Sequence, residues 1–255
     1  MSNFKALIRD LKNTVDFFTA WAGNRLVDPI EIFYEPLEGN VFPIISKSGN
    51  SSVKLKLIRK YNENFNSKFP EIHEVDPYDV TKFQLKRLFF YSLRDYSSFC
   101  EGKNVVIVVR NPYKRFYSLF LSIKSSRNHL YRYPAGMERI FNFNASMSFD
   151  NFTRKIVRIP DAIADRHFRS QSFYLCEDIK LKAHSFEVVE MKSFLGNEND
   201  FNGQSESIHL NRSKQELPVG IYDRLRSNPD FLRRYKADFE LYRISTTFPM
   251  PPLKN

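Results

Sequence analysis

Apolar positions along this chain fall into two periods, one suited to buried strands and one to helix faces. Val41-Phe42-Pro43-Ile44-Ile45 is an apolar run too short for a helix and predicts a buried strand. The polar segment Ser46-Lys47-Ser48-Gly49-Asn50-Ser51-Ser52 follows, and Val53, Leu55, Leu57 and Ile58 then continue as a helix. A second β-branched run, Val105 to Val109, has the near-continuous Val/Ile character of a central strand buried on both faces. It stops at Arg110. Asn111 is a competent N-cap, and Pro112 suits the first helical position, where its missing N–H costs nothing. Phe116, Leu119, Phe120 and Ile123 then share one helical face, while Asn111, Lys114, Arg115 and Ser118 group on another.

Further along, Ser148 to Ile159 and Asp230 to Ser245 read as helices, with Phe149, Phe152 and Ile156, and Leu232, Tyr235, Phe239 and Tyr242, at core spacing. Phe186, Val188, Val189 and Met191 predict one more strand. At the N-terminus, Phe4, Leu7, Ile8, Leu11, Val15 and Phe18 make an amphipathic stripe within residues 1–22. Packing of that stripe on the domain is the expectation; peripheral contact with a membrane surface is the alternative. Strands alternating with helices favour an α/β fold, a central parallel β-sheet flanked by helices. In such a fold the ligand crevice lies at the strand C-terminal ends. No repeat or long low-complexity run divides the 255 residues, so one domain over 1–255 is expected.

Both strand ends carry anion-binding chemistry. Gly49 permits backbone angles that let amide N–H groups converge at a helix N-terminus, where phosphate oxygens are attracted. Ser48, Asn50, Ser51 and Ser52 add side-chain donors, and Lys47 adds a mobile charge. The loop is not that of the ATPases, because the lysine precedes the glycine. Arg110, at the edge of the second strand, and Ser118, two helical turns on, could grip one anion.

These two motifs, in this order, resemble those of the sulfotransferases that use 3'-phosphoadenosine 5'-phosphosulfate (PAPS), particularly the carbohydrate sulfotransferase branch. Ser46-Lys47-Ser48-Gly49-Asn50-Ser51-Ser52 is similar to that family's 5'-phosphosulfate loop, with Ser46 in place of the usual proline. Arg110-Asn111-Pro112-Tyr113-Lys114-Arg115-Phe116-Tyr117-Ser118 matches its 3'-phosphate motif, with Asn111 for the usual aspartate. Asp165-Arg166-His167-Phe168-Arg169-Ser170-Gln171 resembles the branch's His-Trp-x-Pro-Gln segment, and Tyr235-Lys236-Ala237-Asp238-Phe239 its Tyr-x-x-Asp-Phe helix. The resemblance implies a P-loop-like sulfotransferase fold, PAPS as sulfuryl donor, no metal, and a hydroxylated acceptor, carbohydrate in the branch resembled. It also implies that Lys47 stabilises the charge developing on the bridging oxygen, and that Arg110 and Ser118 select the 3'-phosphate.

The base that accepts the acceptor's proton has several candidates. In resembling enzymes it lies between the two motifs, where Glu71-Ile72-His73-Glu74 places Glu71 and His73 on one face of a strand. His73 is the first candidate and Glu71 or Glu74 the next; His167, in the His-x-x-x-Gln segment, is the rival. His129 sits in a polar loop, and His209-Leu210-Asn211-Arg212-Ser213 is a polar turn that by resemblance closes over the nucleotide.

Composition narrows the remaining classes. A net charge of +10 suits a multiply charged nucleotide and equally a polyanion, so a non-catalytic nucleic-acid or polyanion module using Lys54, Lys56, Arg59 and Lys60 is the alternative function. No recognisable nucleic-acid module supports it. The five histidines and two cysteines are scattered, which argues against zinc. Two cysteines cannot form a disulfide framework, and no apolar run is long enough to span a bilayer or act as a secretory signal, so a cytoplasmic setting is expected.

Overall fold

In the computed structural model, which describes residues 25–61, 85–124, 146–196 and 217–247, five strands form one sheet. Strands β1 (Ile30–Glu35) and β2 (Asn40–Pro43) make an antiparallel hairpin with Ile32 opposite Pro43. The Glu35 carboxylate closes its turn by accepting from the Leu37 and Glu38 N–H groups at 2.6 and 2.7 Å. β3 (Lys86–Phe90) pairs antiparallel with the other edge of β1. β4 (Asn104–Val109) joins β2 in parallel and β5 (Ser185–Glu190) joins β4 in parallel, giving the order β3-β1-β2-β4-β5.

The fold is α/β as expected, but the sheet is mixed rather than parallel. The turn over residues 36–39 is too short for the crossover that a parallel β1–β2 pair needs. β1 and β3 were not legible as strands because Glu31 and Glu35, and Lys86 and Arg87, interrupt their apolar pattern. Glu31 and Glu35 are nonetheless buried, each satisfied by a specific set of donors.

Helix α1 (Asn50–Tyr61) follows β2, α2 (Leu93–Cys100) follows β3, and α3 (Pro112–Lys124) follows β4. Then come α4 (Phe149–Ile156), a 3-10 turn (Ser172–Leu175), α5 (Glu177–Lys182), and α6 (Met191–Leu195) directly after β5. α7 (Val219–Arg226), α8 (Pro229–Arg234) and α9 (Lys236–Thr247) complete the described chain. Val53, Leu57 and Ile58 of α1 and Phe194 of α6 pack on one sheet face with Phe42, Val108 and Val189. Tyr96 and Cys100 of α2, Ile179 of α5 and Leu241 of α9 cover the other, against Ile30, Ile32, Val105 and Ile107. A third cluster joins Phe116, Leu119, Phe120 and Ile123 of α3 to Phe149, Phe152 and Ile156 of α4 and to Phe231 and Tyr235.

The helix expected over Asp230 to Ser245 is two helices that part at Tyr235. There the ring packs on Phe116 and Phe231 and its hydroxyl donates to the Phe168 carbonyl at 3.3 Å. Met191, expected to end a strand, opens α6 because the Glu190 side chain caps the Lys192 and Ser193 N–H groups. The amphipathic stripe within 1–22, Glu71, His73, Glu74, His129 and the turn His209 to Ser213 lie outside the described residues. Among the described residues no helix is long and apolar enough to cross a membrane.

Candidate active site

The C-terminal ends of the parallel strands β2 and β4 deliver the two motifs side by side. After the buried Ile44 and Ile45 the chain turns sharply. Lys47 has φ +64°, a left-handed geometry uncommon for a residue with a Cβ, and Gly49 follows at +73°. A Cβ on Gly49 would lie 2.5 Å from the Met191 sulfur, so glycine is required there both for conformation and for close approach. The Val53 N–H reaches the Gly49 carbonyl at 2.8 Å and starts α1. The N–H groups of Gly49, Asn50 and Ser51 keep no acceptor among the described residues, and the Asn50 Oδ1 is buried without a partner. Ser48 and Ser52 are buried; the Ser48 hydroxyl is turned away from the loop mouth, donating to Gln171 Oε1 at 2.8 Å.

Three cations converge on this loop. Lys47 Nζ donates to Ser122 Oγ on α3 at 2.7 Å, and Arg110 Nη1 donates to the Lys47 carbonyl at 3.0 Å. Arg115 is buried and donates from Nε to the Ser46 carbonyl at 3.0 Å and from Nη2 to the Arg169 carbonyl at 2.7 Å. The polar face of α3 is thus turned onto the phosphate-type loop. Ser118 lies on that face between Arg115 and Ser122, partly buried and with no hydrogen-bond partner among the described residues. Asn111 caps the helix by accepting from the Tyr113 and Lys114 N–H groups at 3.0 and 3.3 Å.

Among the described residues no carboxylate stands within ion-pair distance of Lys47, Arg110 or Arg115. Burial pushes the Lys47 ammonium down to about 8, with Asp165 opposing and Arg110 and Arg115 adding to the shift. Burial also lowers Arg110, helped by Arg115 and opposed by Glu190. A cluster of like charges in a desolvated loop is complementary to a bound anion.

Gln171 ties the two motifs together and is fully buried. Its Oε1 accepts from the Arg110 N–H at 2.8 Å as well as from Ser48, and its Nε2 donates to the Arg110 carbonyl at 2.9 Å. The Asp238 carboxylate of α9 accepts from the Gln171 and Ser172 N–H groups at 2.9 and 2.8 Å. The two weaker sequence echoes therefore meet in space.

His167 stands beside this assembly. Its Nδ1 lies 2.5 Å from Asp165 Oδ1, which also accepts from the His167 N–H at 2.6 Å. Burial works to raise the Asp165 carboxyl, but His167 and Arg166 outweigh it and hold it below its ordinary value. A carboxylate on Nδ1 orients the ring and favours its protonated form, which is what a general base needs from its partner. Of the sequence candidates, the structure brings together Lys47, the Ser48 to Ser52 loop, Arg110, Ser118 and His167. Sequence reasoning assigned no part to Asp165, Ser122 or Arg115. The spacing Asp-x-His could have pointed to the first; the other two are set by which way α3 faces.

Fold and site define an α/β protein in which the ends of two parallel strands bring together a glycine turn, three cations and a histidine–carboxylate pair. The sulfotransferase family model, of the family 2 type, matches residues 31–243, and the chain belongs to that family. Comparison with curated proteins and with solved structures gives no match.

Proposed function

We propose that this sulfotransferase uses PAPS as donor and sulfates a hydroxyl of a glycan or similar acceptor. The observation that carries the reading is the convergence of Lys47, Arg110 and Arg115 on a loop with three N–H groups, where among the described residues no carboxylate pairs with the cations and no acceptor meets the N–H groups. The residues present fit such a donor. PAPS supplies an activated sulfuryl group bonded through oxygen to the 5'-phosphate. The loop from Ser48 to Ser52 holds the 5'-phosphosulfate through its N–H groups. Arg110 and Ser118 hold the 3'-phosphate, the guanidinium by paired N–H donors and the serine by its hydroxyl. Lys47 neutralises the charge left on the bridging oxygen as its bond to sulfur breaks, an interaction stronger in the transition state than in the ground state. His167 Nε2 takes the acceptor's hydroxyl proton, and Asp165 stabilises the imidazolium that results.

His73, the first candidate from sequence, lies outside the described residues; the paired carboxylate favours His167. The carbohydrate acceptor rests on the branch resembled and on aromatic residues able to stack on sugar rings. The test is incubation with sulfur-labelled PAPS and a panel of unsulfated oligosaccharides, followed by recovery of labelled product. Label transfer that Lys47→Ala abolishes and that needs the 3'-phosphate of the donor supports the reading. Absence of selective binding to adenosine 3',5'-bisphosphate over adenosine 5'-monophosphate overturns it and favours a polyanion module.

A further inference from the structure

One buried acidic residue lies outside the machinery described so far and touches both halves of it. Glu31 of β1 is 2 % exposed. Its Oε1 accepts from Lys54 Nζ at 2.5 Å and from Arg87 Nε at 2.7 Å, and its Oε2 from Arg166 Nη1 at 2.9 Å. Lys54 belongs to α1, the helix whose N-terminus forms the anion loop; its ammonium also stands over the Phe33 ring. Arg166 is flanked in sequence by Asp165 and His167. Asp28 holds it by a forked pair, Nη2 to Oδ1 at 2.6 Å and Nε to Oδ2 at 2.9 Å, and accepts from its N–H at 2.8 Å. Burial alone would raise the Glu31 carboxyl, but the three cations outweigh it and keep it ionised.

We propose that Glu31 is a positioning residue: through Lys54 it fixes the anion loop and through Arg166 the Asp165–His167 pair, setting Lys47 and His167 at one separation. Direct hydrogen bonding supports this over a purely stabilising part. A buried carboxylate needs one cation for neutrality, whereas this one engages two from separate site elements and a third from β3. Transfer depends on the spacing between the group that neutralises the leaving oxygen and the group that takes the proton, and misplacement by about an ångström can cost roughly a hundredfold in rate.

The inference rests on the PAPS reading, and the experiment separates the two. Lys54→Met keeps the aliphatic stem on Phe33 and leaves Glu31 paired to Arg87 and Arg166, so it disturbs the fold less than Glu31→Gln, which weakens all three pairs. The probes are adenosine 3',5'-bisphosphate binding by calorimetry and PAPS hydrolysis, in which water takes the acceptor's place: its oxygen bonds to sulfur, the bond from sulfur to the 5'-phosphate oxygen breaks, adenosine 3',5'-bisphosphate and sulfate leave, and the water's proton passes to His167. With each variant saturated by donor at concentrations set from its measured bisphosphate affinity, Lys54→Met is expected to lower hydrolysis tenfold or more, and to lower it less than about twofold in a His167→Ala background. Equal losses in both backgrounds, or a wild-type rate in Lys54→Met, overturn the positioning role while the donor reading stands. Failure of the wild-type protein to bind the bisphosphate removes the donor reading and this inference with it.

Discussion

At the residue scale the group to test is Lys47, whose ammonium is made more acidic by its surroundings. Its folded value of about 8, set first by burial, lies below the ordinary 10.5 of an unfolded lysine. The folded protein therefore binds this proton more weakly than the unfolded chain does. Stability from this group rises as pH climbs from about 8 towards 10.5 and is unchanged below that window. A bound phosphate raises the Lys47 value again, so binding above pH 8 must take up a proton. Calorimetry at pH 8.5 in buffers of different ionisation enthalpy is expected to report proton uptake on binding adenosine 3',5'-bisphosphate. Lys47→Met should abolish that uptake; unchanged uptake in the variant would place the titrating group elsewhere. Asn111 follows the same logic of charge. It keeps the carbonyl oxygen that caps α3 while placing no carboxylate beside Arg110. Asn111→Asp should preserve the helix cap and weaken binding of the bisphosphate several-fold, read by the same titration.

At the element scale the site is a contact between segments distant in sequence, and this decides what could be read beforehand. The loop from Lys47 to Ser52 and the junction at Arg110 were legible, because a strand ending at a glycine turn or a capped proline leaves a local mark. His167 was visible only as an echo; its partner Asp165 needs a turn closed by hydrogen bonds from Phe168 and Arg169 to the Asp165 carbonyl. β1 and β3 were hidden by acidic and basic residues whose burial makes sense only once Glu31 meets Lys54, Arg87 and Arg166. The role of Asp238 likewise depends on the break at Tyr235, which sends α9 back to the 3-10 turn. Both carboxylate oxygens of Asp238 accept backbone N–H groups, so Asp238→Asn sets an amide NH2 against one donor. A loss of about 1–3 kcal/mol in urea unfolding is expected, with weaker bisphosphate binding because Gln171 loses its anchor. Gly49→Ala should be as damaging for another reason, since it meets the Met191 sulfur and adds about 1–2 kcal/mol of left-handed strain. Pairing it with Met191→Ala relieves the contact alone, so stability in the double variant should recover only in part.

At the scale of the whole molecule, the +10 net charge and the site cations, which meet no carboxylate among the described residues, act in the same direction. A chain that gathers Lys47, Arg110 and Arg115 around one loop gives up stability when empty and regains it when an anion enters. Ligand binding and thermal stability are then two readings of one quantity. Adenosine 3',5'-bisphosphate at a hundred times its Kd should add about 2.7 kcal/mol to the unfolding free energy. If the 3'-phosphate carries a hundredfold in affinity, adenosine 5'-monophosphate at the same concentration adds only about 0.4 kcal/mol. If Arg110 reads the 3'-phosphate as proposed, Arg110→Ala should bring the two ligands to the same small shift in Tm, the loop alone then answering to the 5'-phosphate of both. Retention of the wild-type difference in Arg110→Ala would mean that the 3'-phosphate is read by other residues. Equal shifts in the wild-type protein would mean that the cradle answers to phosphate generally, and the mixed sheet would then be presenting a polyanion surface rather than a donor site.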